Sequence, residues 1–145
     1  MHVAAILSSK GATVEVVGPE TPVTVAVHRM VSRGIGSLVV VGADDQLLGV
    51  LGERDIVRAI DRHADGFSRL RVRDVVSTGV AATCTVADDL AEVMRRMTVT
   101  RQRHLPVLDG STLVGIISIG DVVKHRLDEL ELQTHVLRDA YLSRS

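Results

Sequence analysis

The chain writes one short sequence twice. "GVLGERDIVRAI" at Gly49–Ile60 returns as "GIISIGDVVKHR" at Gly115–Arg126, with a glycine six residues ahead of an aspartate each time. The duplication extends well beyond this motif. "TPVTVAVHRMVSRGIGSLVVV" at Thr21–Val41 aligns with "DDLAEVMRRMTVTRQRHLPVL" at Asp88–Leu108, setting Met30 on Met97 and Leu38 on Leu105. With one residue fewer in the following turn, Gly49 falls on Gly115. A period of about sixty residues is that of a duplicated module, longer than a solenoid repeat, and two copies predict a pseudo-twofold body.

Each copy reads strand, helix, strand, turn, strand, helix. In the first, Val14–Val17 is a β-branched run, and Thr21 is the expected N-cap with Pro22 at the first helical position. Val23, Ala26, Val27, Met30 and Val31 then recur at helical spacing, and Gly34 closes the helix. Leu38–Val41 and Leu47–Leu51 flank "GADDQ" as a hairpin, and "RDIVRAI" continues as a helix with Ile56, Val57 and Ile60 inward. The second copy repeats this with Leu90, Val93, Met94 and Met97 on its helix, then Leu105–Leu108, the turn "DGST" and Leu113–Ile117. The expected fold is α/β: two tandem βαββα repeats, their sheets packed together with helices outside, plus a C-terminal amphipathic helix. The first repeat covers residues 1–66 with a connector over Arg62–Arg73, the second 67–127, and a helical tail 128–145.

Composition narrows the function classes. Seventeen Lys and Arg against eighteen Asp and Glu give a net charge of -1, so no basic excess draws in phosphate backbones. Phe67 and Tyr141 are the only aromatic residues, too few for a base-stacking platform. No nucleic-acid partner is expected. Cys84 is the only cysteine, which excludes an internal disulfide and fits a reducing compartment. The six histidines show no pair at helical ligand spacing, and no metal site is expected. The start "MHVAAILSSK" lacks a basic leader, and no apolar run is long enough to span a bilayer. A cytoplasmic protein without a membrane partner is the expectation.

Ser118-Ile-Gly-Asp121 falls where a strand ends and a helix begins. Ser-x-x-Asp is a capping box, in which hydroxyl and carboxylate satisfy N–H groups of the first turn. The same geometry is a nucleotide handle, because a helix N-terminus receives phosphate and a neighbouring carboxylate accepts from two ribose hydroxyls. Local capping accounts for one copy, not for a whole unit kept twice.

On these residues the chain resembles a tandem pair of CBS domains, the regulatory module also called a Bateman module, whose signature is Gly, two apolar residues, Ser or Thr, two variable residues, then Asp. "RHLPVLDGSTLVGIISIGDVV" follows that pattern, and the resemblance covers about residues 1–127. It implies paired βαββα units with two clefts for adenine nucleotides, AMP, ADP, ATP or NAD, as regulatory ligands. Asp121 would then hold ribose, and Ser118 beside Gly120 the phosphate. Thr83, Cys84 and Thr85 with Leu105, Pro106 and Val107 would flank the base, and Arg103 and His104 would reach the phosphates. The first copy departs from the signature: Gly52 stands where Ser or Thr is expected, while Asp55 keeps the ribose position and Arg54 adds a charge.

The resemblance also implies a homodimer. In the tail, Val123, Leu127, Leu130, Thr134, Leu137 and Tyr141 step by four and three, which suits either a helix lying back on its own module or a seam between two chains. The functional expectation is a non-catalytic nucleotide sensor acting on another protein in trans, since 145 residues leave no room for an attached catalytic domain. A scaffold with vestigial clefts is the alternative. An enzyme would rest on Ser118 with His104, and no third residue orients that histidine.

Overall fold

The computed structural model describes residues 1–77, 80 and 82–144; Ser145, the end of the expected tail, lies outside them. In chain order the elements are α1 (Val3–Lys10), β1 (Val16–Val17), α2 (Val23–Arg33), β2 (Ser37–Val41), β3 (Leu47–Gly52), α3 (Glu53–His63), α4 (Val72–Val75), α5 (Leu90–Thr100), β4 (His104–Asp109), β5 (Thr112–Ser118) and α6 (Ile119–Leu142). β1, β2 and β3 form one sheet, with β1 parallel and β3 antiparallel to β2. β4 and β5 form an antiparallel pair, and the strand corresponding to β1 is reduced to a parallel bridge from Cys84 to Val107. The order βαββα therefore holds in the first repeat, with a vestigial first strand in the second.

The two cores are separate, and each borrows a helix. Val17, Ala26, Met30, Leu38, Val40 and Leu51 of the first repeat enclose Val72 from α4. Cys84, Leu90, Val93, Met97, Leu105, Val107, Ile117 and Val122 of the second enclose Val3 and Ile6 from α1. Matched backbone bonds secure the exchange. The N–H of Val23 donates to the carbonyl of Leu70 (2.9 Å) and that of Val72 to Thr21 (2.9 Å); correspondingly Leu90 donates to Met1 (3.1 Å) and Val3 to Asp88 (3.0 Å).

The repeated glycine follows from this exchange. A Cβ on Gly115 would lie 2.8 Å from a Leu7 methyl, and one on Gly49 would lie 3.0 Å from a Val76 methyl. Each glycine clears the sheet surface for the segment that leads the other repeat.

The exchange also corrects the expected helix start. Pro22, not Thr21, is the N-cap of α2, and no side chain caps it, because the first helical N–H is already taken by the Leu70 carbonyl. Gly34 does close α2, at φ 62°, ψ 37°. Val57 and Ile60, expected inward, are 65% and 49% exposed, and Val31 is 75% exposed. The apolar stripes of α2 and α3 are wider than the sheet beneath can cover, so their outer edges form an open groove that includes Val27, Val31, Ile56 and Val57. The tail does not lie back on its module. α6 is one unbroken helix, about 36 Å long at 1.5 Å per residue, and residues 131–144 are all exposed.

Ile6 tests the exchange, because it is fully buried in a core to which its own repeat contributes nothing else but α1. Ile6→Ala is expected to lower stability by about 2–5 kcal/mol in urea denaturation. A loss below about 0.5 kcal/mol, the range of a surface substitution, would show that α1 is not seated there.

Candidate functional site

Both signature motifs begin a helix. At α6 the reciprocal box is complete: the Asp121 N–H donates to Ser118 Oγ (3.1 Å), and the Ser118 N–H donates to Asp121 Oδ2 (2.9 Å). At α3, Gly52 has no hydroxyl, and only the return bond forms, from the Gly52 N–H to Asp55 Oδ2 (2.9 Å). The capping reading of these residues is thus physically satisfied in full at one site and by half at the other.

What lies beyond the caps distinguishes the two carboxylates. Lys10, at the end of the exchanged α1, sets its Nζ 2.7 Å from Asp121 Oδ2 and 3.0 Å from the Ile116 carbonyl. Burial pushes the Asp121 carboxyl up, but the Lys10 ammonium and the Ser118 N–H outweigh it and hold the group below the ordinary carboxylate range. Asp55 meets the counterpart segment after α4: the Ser77 hydroxyl donates to its Oδ1 (3.0 Å), and Arg58 stands 3.9 Å away. Each carboxylate is therefore held by the segment that leads the other repeat, by a cation in one case and a hydroxyl in the other.

A cleft of about 630 Å³ opens between the repeats, within the range of small-ligand sites. One wall carries Gly36, residues 52–55, Arg58, Ser77 and Val80; the other carries residues 100–104 with Ser118 and Ile119. Of the residues expected at a nucleotide site, Asp55, Arg54, Arg103, His104 and Ser118 meet here. Asp121, Gly120, Thr83, Cys84, Leu105 and Pro106 do not line it. Asp121 is turned to Lys10, and Cys84 and Leu105 belong to the second core. The Cys84 N–H donates to the Pro106 carbonyl (3.0 Å) and its own carbonyl accepts from Leu108 (2.8 Å), so the strand bridge consumes its backbone. Burial pushes the Cys84 thiol up to about 12, with Asp88 adding and Arg96 opposing, which makes it an unreactive core group.

His104 stands at the junction of the walls, its Nε2 3.8 Å from the point a Gly36 Cβ would occupy. Burial lowers its pKa, and Lys10 and Arg103 add to this against Asp121 and Glu53. The imidazole is neutral at pH 7 and is able to accept as well as donate. Among the described residues no hydrogen bond joins it to Ser118, whose Oγ is engaged by the cap.

Sequence reasoning missed Lys10, Ser77, Arg58 and Arg101. Lys10 and Ser77 carry no local signal, because only the exchange brings them to carboxylates of the opposite repeat. Arg101 was visible in the repeat alignment, where "RQR" at Arg101–Arg103 occupies the place of "GIG" at Gly34–Gly36.

Two repeats that trade leading helices across a charged cleft define a paired-repeat module. The chain belongs to the CBS domain family, whose model matches residues 6–62 and 72–128. It is similar to a crystallised CBS-domain containing protein from Agrobacterium tumefaciens, at 36% identity and TM-score 0.82, covering 86% of this chain and 92% of that one. It is also similar to the Arabidopsis thaliana protein named CBS domain-containing protein CBSX3, mitochondrial, at 34% identity over 102 residues; these make up 68% of this chain and half of that protein. The structure of CBSX2 in complex with AMP matches with TM-score 0.67 and 25% identity, over 80% of this chain and 89% of that one. Among the described residues no helix is long and apolar enough to cross a membrane, and no cluster of metal-ligating side chains occurs.

Proposed function

We propose that the chain is a non-catalytic sensor that takes an adenine nucleotide, AMP, ADP, ATP or NAD, between its repeats and passes the bound state to another protein in the cytoplasm. The observation that carries this reading is the repeated carboxylate at a helix start, Asp55 in the wall of a cleft furnished with arginines and Asp121 behind Ser118 and Ile119, which line the same cleft. The AMP held by CBSX2 supports the ligand class. In this reading Asp55 and Asp121 accept from ribose hydroxyls, while Ser118, Gly120, Arg54, Arg103 and His104 face phosphates. The backbones near Thr83, Cys84, Leu105 and Pro106 border the base. Occupying the Asp121 site requires Lys10 to give up or share that carboxylate, so ligand and α1 are energetically coupled. In this reading the repeats divide at residues 1–66 and 67–127, with the helical tail at 128–145. Ser118 is spoken for by cap and phosphate, which leaves the enzyme reading no nucleophile.

Asp121→Ala is expected to remove most nucleotide affinity at that site, since two charge-assisted hydrogen bonds of about 1.5–3 kcal/mol each are lost; the melting temperature must be read alongside because the cap is lost too. Gly52→Ser is expected to strengthen the first site. Gly52 has φ -111°, and a Cβ would meet only Asp55 Oδ2, at 3.9 Å, so a serine is accommodated. Calorimetry on both variants checks the reading: unchanged affinity in a folded Asp121→Ala protein, with no gain in Gly52→Ser, would remove ribose recognition by these carboxylates.

A homodimer completes the proposal. Leu130 and Leu137 are 45% and 71% exposed on the projecting α6, with Tyr141 continuing the same seam at 77%. Leu130→Glu with Leu137→Glu is expected to convert a dimer into monomers in sedimentation, because charge at a buried seam is strongly disfavoured. A dimer that survives both changes would place the contact on other helices.

A further inference from the structure

The cleft holds more cationic charge than a monophosphate needs, and it holds it on facing walls. Arg54 and Arg58 come from α3 of the first repeat, Arg101 and Arg103 from the end of α5 and the approach to β4 in the second. Elsewhere Arg33, Arg71, Arg73, Arg95, Arg96 and Arg126 each pair with a carboxylate. Among the described residues Arg54, Arg101 and Arg103 have no such partner, and Arg58 has only Asp55 at 3.9 Å; Arg29, Arg62, Arg69, Arg138 and Arg144 also lack one but do not line the cleft, so what sets these four apart is that they gather there. Glu53 is the one acidic side chain besides Asp55 on these walls.

Arg101 is the most informative of the four. It caps α5 in the left-handed region, at φ 56°, ψ 29°, where the first repeat places Gly34 at φ 62°. A non-glycine residue there is disfavoured by roughly 1–2 kcal/mol. Glycine is thus the unstrained residue at this position, and the second repeat carries instead an arginine that lines the cleft. Arg103 likewise replaces Gly36, so of the two matching segments only the second brings guanidinium groups to the cleft.

We propose that the cleft selects nucleotides bearing a linear chain of at least three phosphoryl groups over monophosphates. This rests on the nucleotide reading and specifies its ligand. A guanidinium fork engages one phosphoryl group bidentately. A single phosphoryl group sits on one wall, whereas a chain spans both, satisfying Arg54 on one side and Arg101 and Arg103 on the other. The starts of α3 and α6 at the same cleft add N–H groups of matching sign. Ligand bound this way also ties the repeats together, since its two ends are held by different halves of the molecule.

Calorimetry of the full chain against AMP, ATP and inorganic tripolyphosphate tests this. ATP is expected to bind at least about tenfold tighter than AMP, a difference of about 1.4 kcal/mol, and tripolyphosphate to bind and to compete with ATP. In Arg101→Gly with Arg103→Gly, which restores the residues of the first repeat and suits the left-handed cap, the ratio of ATP to AMP affinity is expected to fall towards unity. Arg54→Gln, on the opposite wall, is expected to lower the ratio independently. Equal affinities for AMP and ATP in the wild type, or a ratio unmoved by both variants, would overturn the inference and leave the nucleotide reading standing. Tripolyphosphate binding without either nucleotide would keep the polyphosphate cleft and discard the nucleoside. Binding of none of the three would discard both.

Discussion

The exchange of leading segments between the repeats is the interaction on which the rest of the structure depends. Val3 and Ile6 close the second core and Val72 closes the first, so neither half completes its interior from its own repeat. Two separate cores with no shared side chains would otherwise be free to move apart. The exchange instead fixes their relative placement through matched main-chain bonds, and the dimensions of the cleft follow from that placement. It also explains the paired glycines, which a reading of either motif by itself leaves without a reason.

The proposed function draws on the same device. Lys10 and Ser77 extend the exchanged segments onto Asp121 and Asp55, so the groups that touch the carboxylates are the ones that hold the repeats together. In the proposed function a ligand drawing on either carboxylate would act on the junction, a route by which binding at a small site would alter a larger surface. The asymmetry matters here. An ammonium on Asp121 competes with any other donor at that oxygen, whereas the Ser77 hydroxyl leaves Asp55 as a member of the cleft wall.

Much of the fold was legible in the sequence because it is written in patterns of local origin. The duplication gave the two βαββα units, the Gly34 stop and the hairpins are turn chemistry, and Leu90, Val93 and Met97 fell inward at helical spacing. Illegible parts were those decided by tertiary contact. Thr21 looked like a cap because nothing local reveals the Leu70 carbonyl; Val57 and Ile60 looked like core because periodicity reports an apolar face without saying how much of it is covered. The site divided in the same way. Of the residues the motif and its neighbourhood singled out, Ser118, Asp55, Arg54, Arg103 and His104 line the cleft, Asp121 is paired with Lys10, and the side chains of Cys84 and Leu105 are buried in the second core. Lys10 lies 111 residues from its partner and became visible only with the fold.

In the proposed function the ligand lies between the repeats, on walls drawn from both. Hydrogen exchange of the wild-type chain with and without ATP tests it most directly, because the walls come from distant stretches of sequence. Slowed exchange is predicted together at residues 52–58, 100–104 and 118–121. Protection confined to one repeat, or absent from all three stretches, would contradict the account.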